Sequence, residues 1–316
     1  MSTPTTGEAI KPAVRQRGLA LNTLAARSHT HTEGYWHRAW RRFRRNRLSL
    51  VALIVLTGII IFILSADLIS HYVTHVAYAD NHLNDRLAPP FHKPYYLGAD
   101  GNGRDILTRL AYGGRVSLFV ALLAATAILL IGGTIGSLAG FFGGFVDTIG
   151  MRSADVLLSM PILPLLILVS AFYRPSPAFL AIFIALLSWA GISRLIRGEV
   201  LSLRKRDFVE AARVIGSSNS RIIWKHIIPN VLPVIIVWTS IVIPGLILTE
   251  ASLSYLGLGV RVPTPSWGNM LQDAKQYVRA EWTLVFIPGA AIYITVLCFY
   301  LVGTGLRDAL DPRLNQ

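Results

Sequence analysis

Long uncharged apolar runs alternate with short polar segments along this chain. A helix needs about 20 residues to cross roughly 30 Å of hydrocarbon. Stretches of that kind fall at Leu48–Ala66, Val116–Val146, Val156–Tyr173, Pro175–Ser193, Ile227–Thr249 and Thr283–Leu306. The pattern predicts an all-α integral membrane protein with six transmembrane helices, the ends of each span placed to within several residues. The first run is read as an uncleaved helix, because the 47 residues before it are too long for the basic lead of a signal peptide.

Composition agrees. Of 316 residues, 53% are hydrophobic and only 15% charged, with a mean hydropathy of +0.51, which excludes an ordinary soluble domain. The net charge of +13 would suit nucleic acid if it lay along one face, but the 30 Lys and Arg are distributed by loop. Alternate loops beginning with the N-terminus collect 21 of them and the others nine. The positive-inside bias then places both termini in the cytoplasm. The single cysteine, Cys298 in the last run, leaves no intramolecular disulfide and no cysteine cluster for a metal.

Residues 1–47 form a tail, expected to be disordered to about residue 34 and to end in a basic interfacial helix. In that segment Trp36, Trp40 and Phe43 recur at helical spacing among arginines, so one face can sit at headgroup level while the arginines meet anionic lipid. The 67–115 loop carries Pro89, Pro90 and Pro94 and ends in a turn-rich run, Leu97–Asp105, before a helix beginning near Asp105. The second run holds Gly132, Gly133, Gly136, Gly140, Gly143 and Gly144, a small-residue repeat that marks a packing helix. Asp155 stands three residues after Arg152, the spacing of a same-face ion pair, and Arg194 and Arg197 lie where their stems can snorkel to the interface. Glu250 is the one charged residue between Ile227 and Val260, and reads either as a pathway residue or as a hydrogen-bonding group of the bundle interior.

The inside loop, Leu203–Asn230, is basic yet patterned as helix. Phe208, Ala211, Ala212 and Ile215 form an apolar stripe, with Arg206, Glu210 and Arg213 opposite. Gly216 ends that helix, Ser217–Ser220 caps a second one over Arg221–Ile228, and Pro229 separates the second helix from the fifth span. Periodicity alone leaves open whether such a hairpin lies on the membrane or is bound by a partner.

Glu210-Ala211-Ala212, Gly216 and Ile227-Ile228-Pro229 resemble the EAA loop of ABC importer permeases, with His226–Asn230 matching the form found in the peptide-permease branch. Leu97–Asp105, Tyr112–Leu118 and Leu253–Gly259 resemble further segments of that branch, Tyr255 standing where a Phe is usual. Gly305–Arg313 is similar to the ending of the C-type permease subunit of oligopeptide and dipeptide importers, so the resemblance covers most of residues 36–313.

The resemblance implies a type I importer permease fold over 48–306, with a short cytoplasmic tail at 307–316, in a bacterial or archaeal plasma membrane. It implies as partners a second homologous permease subunit, two ATPase subunits, an external substrate-binding protein and the lipid bilayer, with no nucleic acid. Phe208, Glu210, Ala211, Ala212, Arg213, Ile215 and Gly216 become the coupling helix that docks on the ATPase, and Asp100, Arg104 and Asp105 a candidate contact for the binding protein or else a tightly folded loop. No Gly-x-x-x-x-Gly-Lys-Ser/Thr run occurs, so the chain is expected not to be an enzyme and to bind no cofactor or metal, ATP and Mg being used by the partners. The rival readings are a self-sufficient secondary transporter or channel, which would not need a docking hairpin, and an intramembrane enzyme, for which the six runs offer no His or Lys.

Overall fold

A computed structural model describes residues 35–92, 94–173 and 176–310; the expected disordered tail, Pro175 and the last residues of the C-terminal motif lie outside the described residues. Within them the chain is helical, with no strand beyond one isolated bridge between Ala99 and Asp105. The elements are α1 (Tyr35–Arg45), α2 (Arg47–Leu64), α3 (Ile106–Phe142), α4 (Gly144–Ser159), α5 (Ile162–Phe172), α6 (Pro177–Ser188), α7 (Ala190–Leu203), α8 (Asp207–Val214), α9 (Asn219–Ile222), α10 (Ile228–Tyr255), α11 (Trp267–Ala274) and α12 (Thr283–Leu310). Four helices are long and apolar enough to cross a membrane alone: α2, α3, the continuous Asn219–Tyr255 helix and α12. The pairs α4/α5 and α6/α7 pass that test only together, bent by 81° and 51°, which gives up to six spans.

Helix α3 is the axis of the molecule and packs on α2, α4, α6, α7, α10 and α11, while α12 lies against α10, α2 and α1. Lipid removes the hydrophobic drive that gathers helices in water, so close backbone approach and dispersion must hold the bundle. Three glycines one turn apart provide that approach. A methyl group at Gly132 would stand 2.6 Å from the Trp189 carbonyl oxygen, one at Gly136 2.4 Å from that of Ser193, and one at Gly140 2.9 Å from that of Arg197. The other glycines of the repeat act differently. Gly133 has only side chains near it, the closest 3.7 Å away, and Gly143 and Gly144 have positive φ and break the chain between α3 and α4. Around the glycine seam Val120, Ala124, Ile128, Leu180, Ile192 and Ile247 are buried, whereas Ile54, Ile61, Leu64, Leu130, Phe286 and Tyr293 remain uncovered by the chain itself.

Helix α3 starts where the turn-rich run ends, as expected, with Asp105 as its N-cap, and so carries Arg109 and Arg115, both ion-paired, ahead of the apolar run. Several elements differ from the sequence pattern for identifiable reasons. The run over Val156–Tyr173 is divided at Met160–Pro161, where proline cannot continue a helix. Arg194 and Arg197, expected only to reach the interface, are each ion-paired to another helix. Arg197 forks onto both carboxylate oxygens of Asp147 at 2.5 and 2.6 Å, and Arg194 binds Asp155, which also keeps its expected i,i+3 ion pair with Arg152 at 3.9 Å. Pro229 does not end a helix. The backbone widens to a π-turn over Ile223–Ile227, which moves the carbonyls away from the proline ring, and Asn230 Nδ2 donates to the His226 carbonyl at 2.6 Å.

The glycine seam carries a direct expectation. Gly136→Leu should cost about 3 kcal/mol or more by overpacking, seen as a lower midpoint of thermal unfolding in detergent. Gly133→Ala, with room beside it, should leave the midpoint unchanged or slightly raised.

Candidate functional site

The hairpin between α7 and α10 projects from one end of the bundle. Helix α8 begins after Arg206 with no side-chain cap and has Asp207 and Glu210 in its first turn, where acidic groups suit the helix dipole. Its end is a Schellman turn: the Gly216 amide donates to Arg213 O at 2.9 Å and the Ser217 amide to Ala212 O at 3.0 Å. Gly216 adopts φ +82°, a region costly to any residue with a Cβ. Ser218 then caps α9 by accepting from the Arg221 amide.

The predicted stripe is divided between two faces. Val209 and Ala212 point inward and pack with Leu203, Ile222, Ile223 and Ile227 in the main core. Phe208, Ala211, Val214 and Ile215 are exposed, Val214 to 88% and Ile215 to 82%. Arg213, on the face opposite Phe208, is exposed and lies over the Phe141 ring with its guanidinium carbon 5.6 Å from the centroid. Arg204 Nη1 donates to the carbonyls of Gly140 and Phe141, at 3.1 and 3.2 Å, closing the C-terminal end of α3. Glu210 is exposed and makes no ion pair among the described residues. The hairpin is thus fixed to the end of α3 and presents a free carboxylate beside uncovered apolar side chains. Next to it opens a groove of about 730 Å³ lined in part by Glu199, Arg206, Asn230, Trp238 and Arg307.

Glu250 is fully buried. Its Oε2 accepts from Ser117 Oγ of α3 at 2.7 Å and its Oε1 from Ser254 Oγ at 2.6 Å. Ser117 Oγ in turn accepts from the Trp267 amide at 3.2 Å, and Ser254 Oγ from the Val260 amide at 3.2 Å. Of its two sequence readings, bundle interior is the place the side chain occupies.

Asp100, Arg104 and Asp105 are buried as well. Arg104 binds Asp100 Oδ2 at 2.7 Å and Asp273 Oδ2 at 2.6 Å, and Arg109 Nη2 reaches the same Asp273 oxygen at 3.2 Å. Asp105 caps α3 through the Thr108 amide at 2.7 Å; burial pushes its carboxyl up from the ordinary range, while the bonds from Thr108 pull it back. In the same loop Tyr95 donates to Asp85, and burial together with that carboxylate pushes its phenol up to about 12. These contacts build the loop from within. Sequence reading missed Arg109, Asp273, Ser117, Ser254 and the whole of α11, although Ser266 and Asn269 form a reciprocal capping box three residues apart, a pattern visible in the chain.

The model of the inner membrane components of binding-protein-dependent transport systems matches residues 132–316, and that of the N-terminal TM domain of oligopeptide transport permease C matches residues 34–90. The chain is 40% identical to the dipeptide transport system permease protein DppC of Alkalihalophilus pseudofirmus, covering 89% of this chain and 91% of that one. It is 41% identical to the oligopeptide transport system permease protein OppC of Haemophilus influenzae, with 88% of each covered, and 38% identical to OppC of Escherichia coli K12, covering 93% and 96%. Among solved structures, one of the MetNI methionine ABC transporter in inward-facing conformations aligns at a TM-score of 0.47 and 19% identity, covering 64% of this chain and 96% of that one.

The Schellman turn sets a second expectation. Gly216→Val should destabilise the hairpin by about 1–2 kcal/mol, while Gly216→Asn should cost less, because Asn tolerates a left-handed backbone. Limited proteolysis across 213–219 measures both.

Proposed function

The chain belongs to the inner-membrane components of binding-protein-dependent transport systems, and from that premise we propose that it forms half of a peptide importer's pathway, driven through the α8 hairpin. It is a permease subunit of an ATP-driven importer in the plasma membrane and not itself an enzyme, ATP hydrolysis residing in separate subunits. Peptides enter the proposal from the relatives, which are oligopeptide and dipeptide permeases. A second permease subunit, two ATPase subunits and an external binding protein complete the proposed machine.

The observation that carries the coupling role is the two-sided character of α8. One side is pinned to the bundle by Val209, Ala212 and Arg213. The other exposes Phe208, Val214 and Ile215, apolar side chains on a polar projection that a monomer would not leave in water without a use. An ATPase groove would cover them, and Glu210 would fix the helix's rotation by pairing with a basic group there. ATP-driven closure then biases the bundle between two arrangements, since the hairpin cannot move independently of α3. The revised docking set drops Arg213, which is occupied within the chain, and gains Val214.

Orientation follows from charge and contact together. The hairpin, the C-terminal end of α12 and α1 share one end of the molecule: Arg307 and Leu310 line the groove beside Arg206, and a methyl at Gly305 would meet Phe43 of α1 at 3.3 Å. That end carries the basic excess, so we assign it and both termini to the cytoplasm. We assign Asp100, Arg104 and Asp105 to building the outer loop rather than to contact with the binding protein, since Asp100 and Arg104 are buried in ion pairs and Asp105 is buried as the cap of α3, all poorly placed for docking.

Co-purification of the tagged chain with the products of its neighbouring genes tests the whole reading. An ATPase should accompany it, and Glu210→Lys or Val214→Asp should lower binding-protein-stimulated ATP hydrolysis by a factor of about 5–150, the range of coupling free energies of 1–3 kcal/mol. A homo-oligomer that transports without any ATPase would instead establish a self-sufficient transporter.

A further inference from the structure

Nothing in the proposed coupling uses α11, yet three separate stretches of the chain converge on it. Helix α11 has eight residues and cannot span a bilayer; it lies against α3, α10 and α12. Along one face of α3 it is held at every turn. Arg109 pairs with Asp273 at 3.2 Å, the Leu110 carbonyl accepts from Trp267 Nε1 at 3.0 Å, and the Ser117 hydroxyl accepts from the Trp267 amide at 3.2 Å. Between them Gly113 and Gly114 make room, since a methyl at either would stand 3.2 Å from Ser266 or 2.6 Å from the Trp267 ring. From the outer loop Arg104 joins through Asp273, and Gly101 lies against Tyr277 just beyond α11. Helix α10 contributes Glu250, which binds Ser117 and Ser254, and Ser254 fixes the chain entering α11 through the Val260 amide. At the opposite end of α3, Phe141 carries Arg213 of the hairpin.

We propose that α3 is a rod joining the hairpin to α11, and that Glu250 is a positioning residue whose carboxylate orients the Ser117 and Ser254 hydroxyls, which in turn hold the Trp267 and Val260 amides and so seat α11 against α3 and α10, making the outer mouth move with the hairpin. The rod has 37 residues, about 55 Å at 1.5 Å per residue. Two polar clamps hold α11 to it, the ion pairs at Asp273 and the Glu250–Ser117 latch near Trp267. Rigid connection matters because closing the ATPases at one end can reposition the other end only through parts that do not yield between them. The latch rests on the importer reading, and both are open to one set of measurements.

In the full complex carrying Cys298→Ser, a thiol introduced by Met270→Cys reports on the seating of α11, since Met270 is buried there. With Glu250→Ala, membrane-impermeant maleimide should label it at least about tenfold faster, as loss of two buried hydrogen bonds allows. Stimulation of ATP hydrolysis by the binding protein, as a ratio to the unstimulated rate, should fall in parallel. Glu250→Gln, which can still bond both serines, should restore both readouts toward the parent. If Glu250→Ala fails to reach the membrane, Ser117→Ala removes one arm of the latch and should give the same direction of change. Unchanged labelling with unchanged stimulation would overturn the latch. Faster labelling with full stimulation would overturn the link from α11 to coupling. A parent complex without any stimulation would overturn the importer reading, with the labelling still reporting on the latch.

Discussion

The close contact of α3 with its neighbours is the constraint on which the rest of this structure depends. In lipid, helices gain little from merely hiding apolar surface, so contacts must come from backbones that approach closely and from polar groups that find each other. Helix α3 supplies both. Gly132, Gly136 and Gly140 admit the carbonyl side of α7, and Gly113 and Gly114 admit the start of α11. A single side chain larger than hydrogen at Gly136 would push α7 outward and, with it, the root of the hairpin that begins four residues beyond its end.

The polar groups follow the same logic. Charges within apolar surroundings are costly alone, and here they are gathered into sets: Arg197 with Asp147, Arg194 with Asp155, Arg104 and Arg109 with Asp100 and Asp273. Each set joins segments distant in the chain. The same is true of Arg115 and Tyr112, which bind Asp67 at 2.9 and 2.6 Å and tie α3 to the turn that follows α2; those bonds hold the Asp67 carboxyl below the usual carboxylate range. Removing one partner therefore loosens an inter-helix joint as well as stranding a charge.

The segments that resembled the peptide-permease branch acquire physical reasons in three dimensions. Leu253–Gly259 ends α10 in a second Schellman turn, with Gly257 at φ +79°, the Leu258 amide bonded to Leu253 O at 2.9 Å, and Gly259 so near Ser254 that a methyl would stand 2.1 Å from its hydroxyl. Tyr112–Leu118 contributes the two glycines beneath α11 and the hydroxyl on Glu250. Leu97–Asp105 contributes Arg104 to the pair with Asp273. Three motifs that look unrelated along the chain are the parts of one joint.

Sequence alone determined the membrane as solvent, the apolar runs, the packing face of α3 and the helix–Gly–helix form of the hairpin, because each is a local property: run length, glycine spacing, a turn that only glycine closes without strain. Tertiary structure decided what lies between elements. Periodicity put Arg213 opposite the apolar stripe, and only the fold shows what meets it there, the Phe141 ring at the end of α3. Pro229 marks a boundary by propensity, yet a π-turn carries the helix past it. Glu250 read equally as pathway or interior until Ser117, 133 positions away, was found on it. Helix α11 was too short to register as an apolar run, and only the folded bundle gives its eight residues their partners. Local pattern records what a segment can form by itself; which of two faces is buried, and which charge meets which, is fixed by neighbours the chain brings together only on folding.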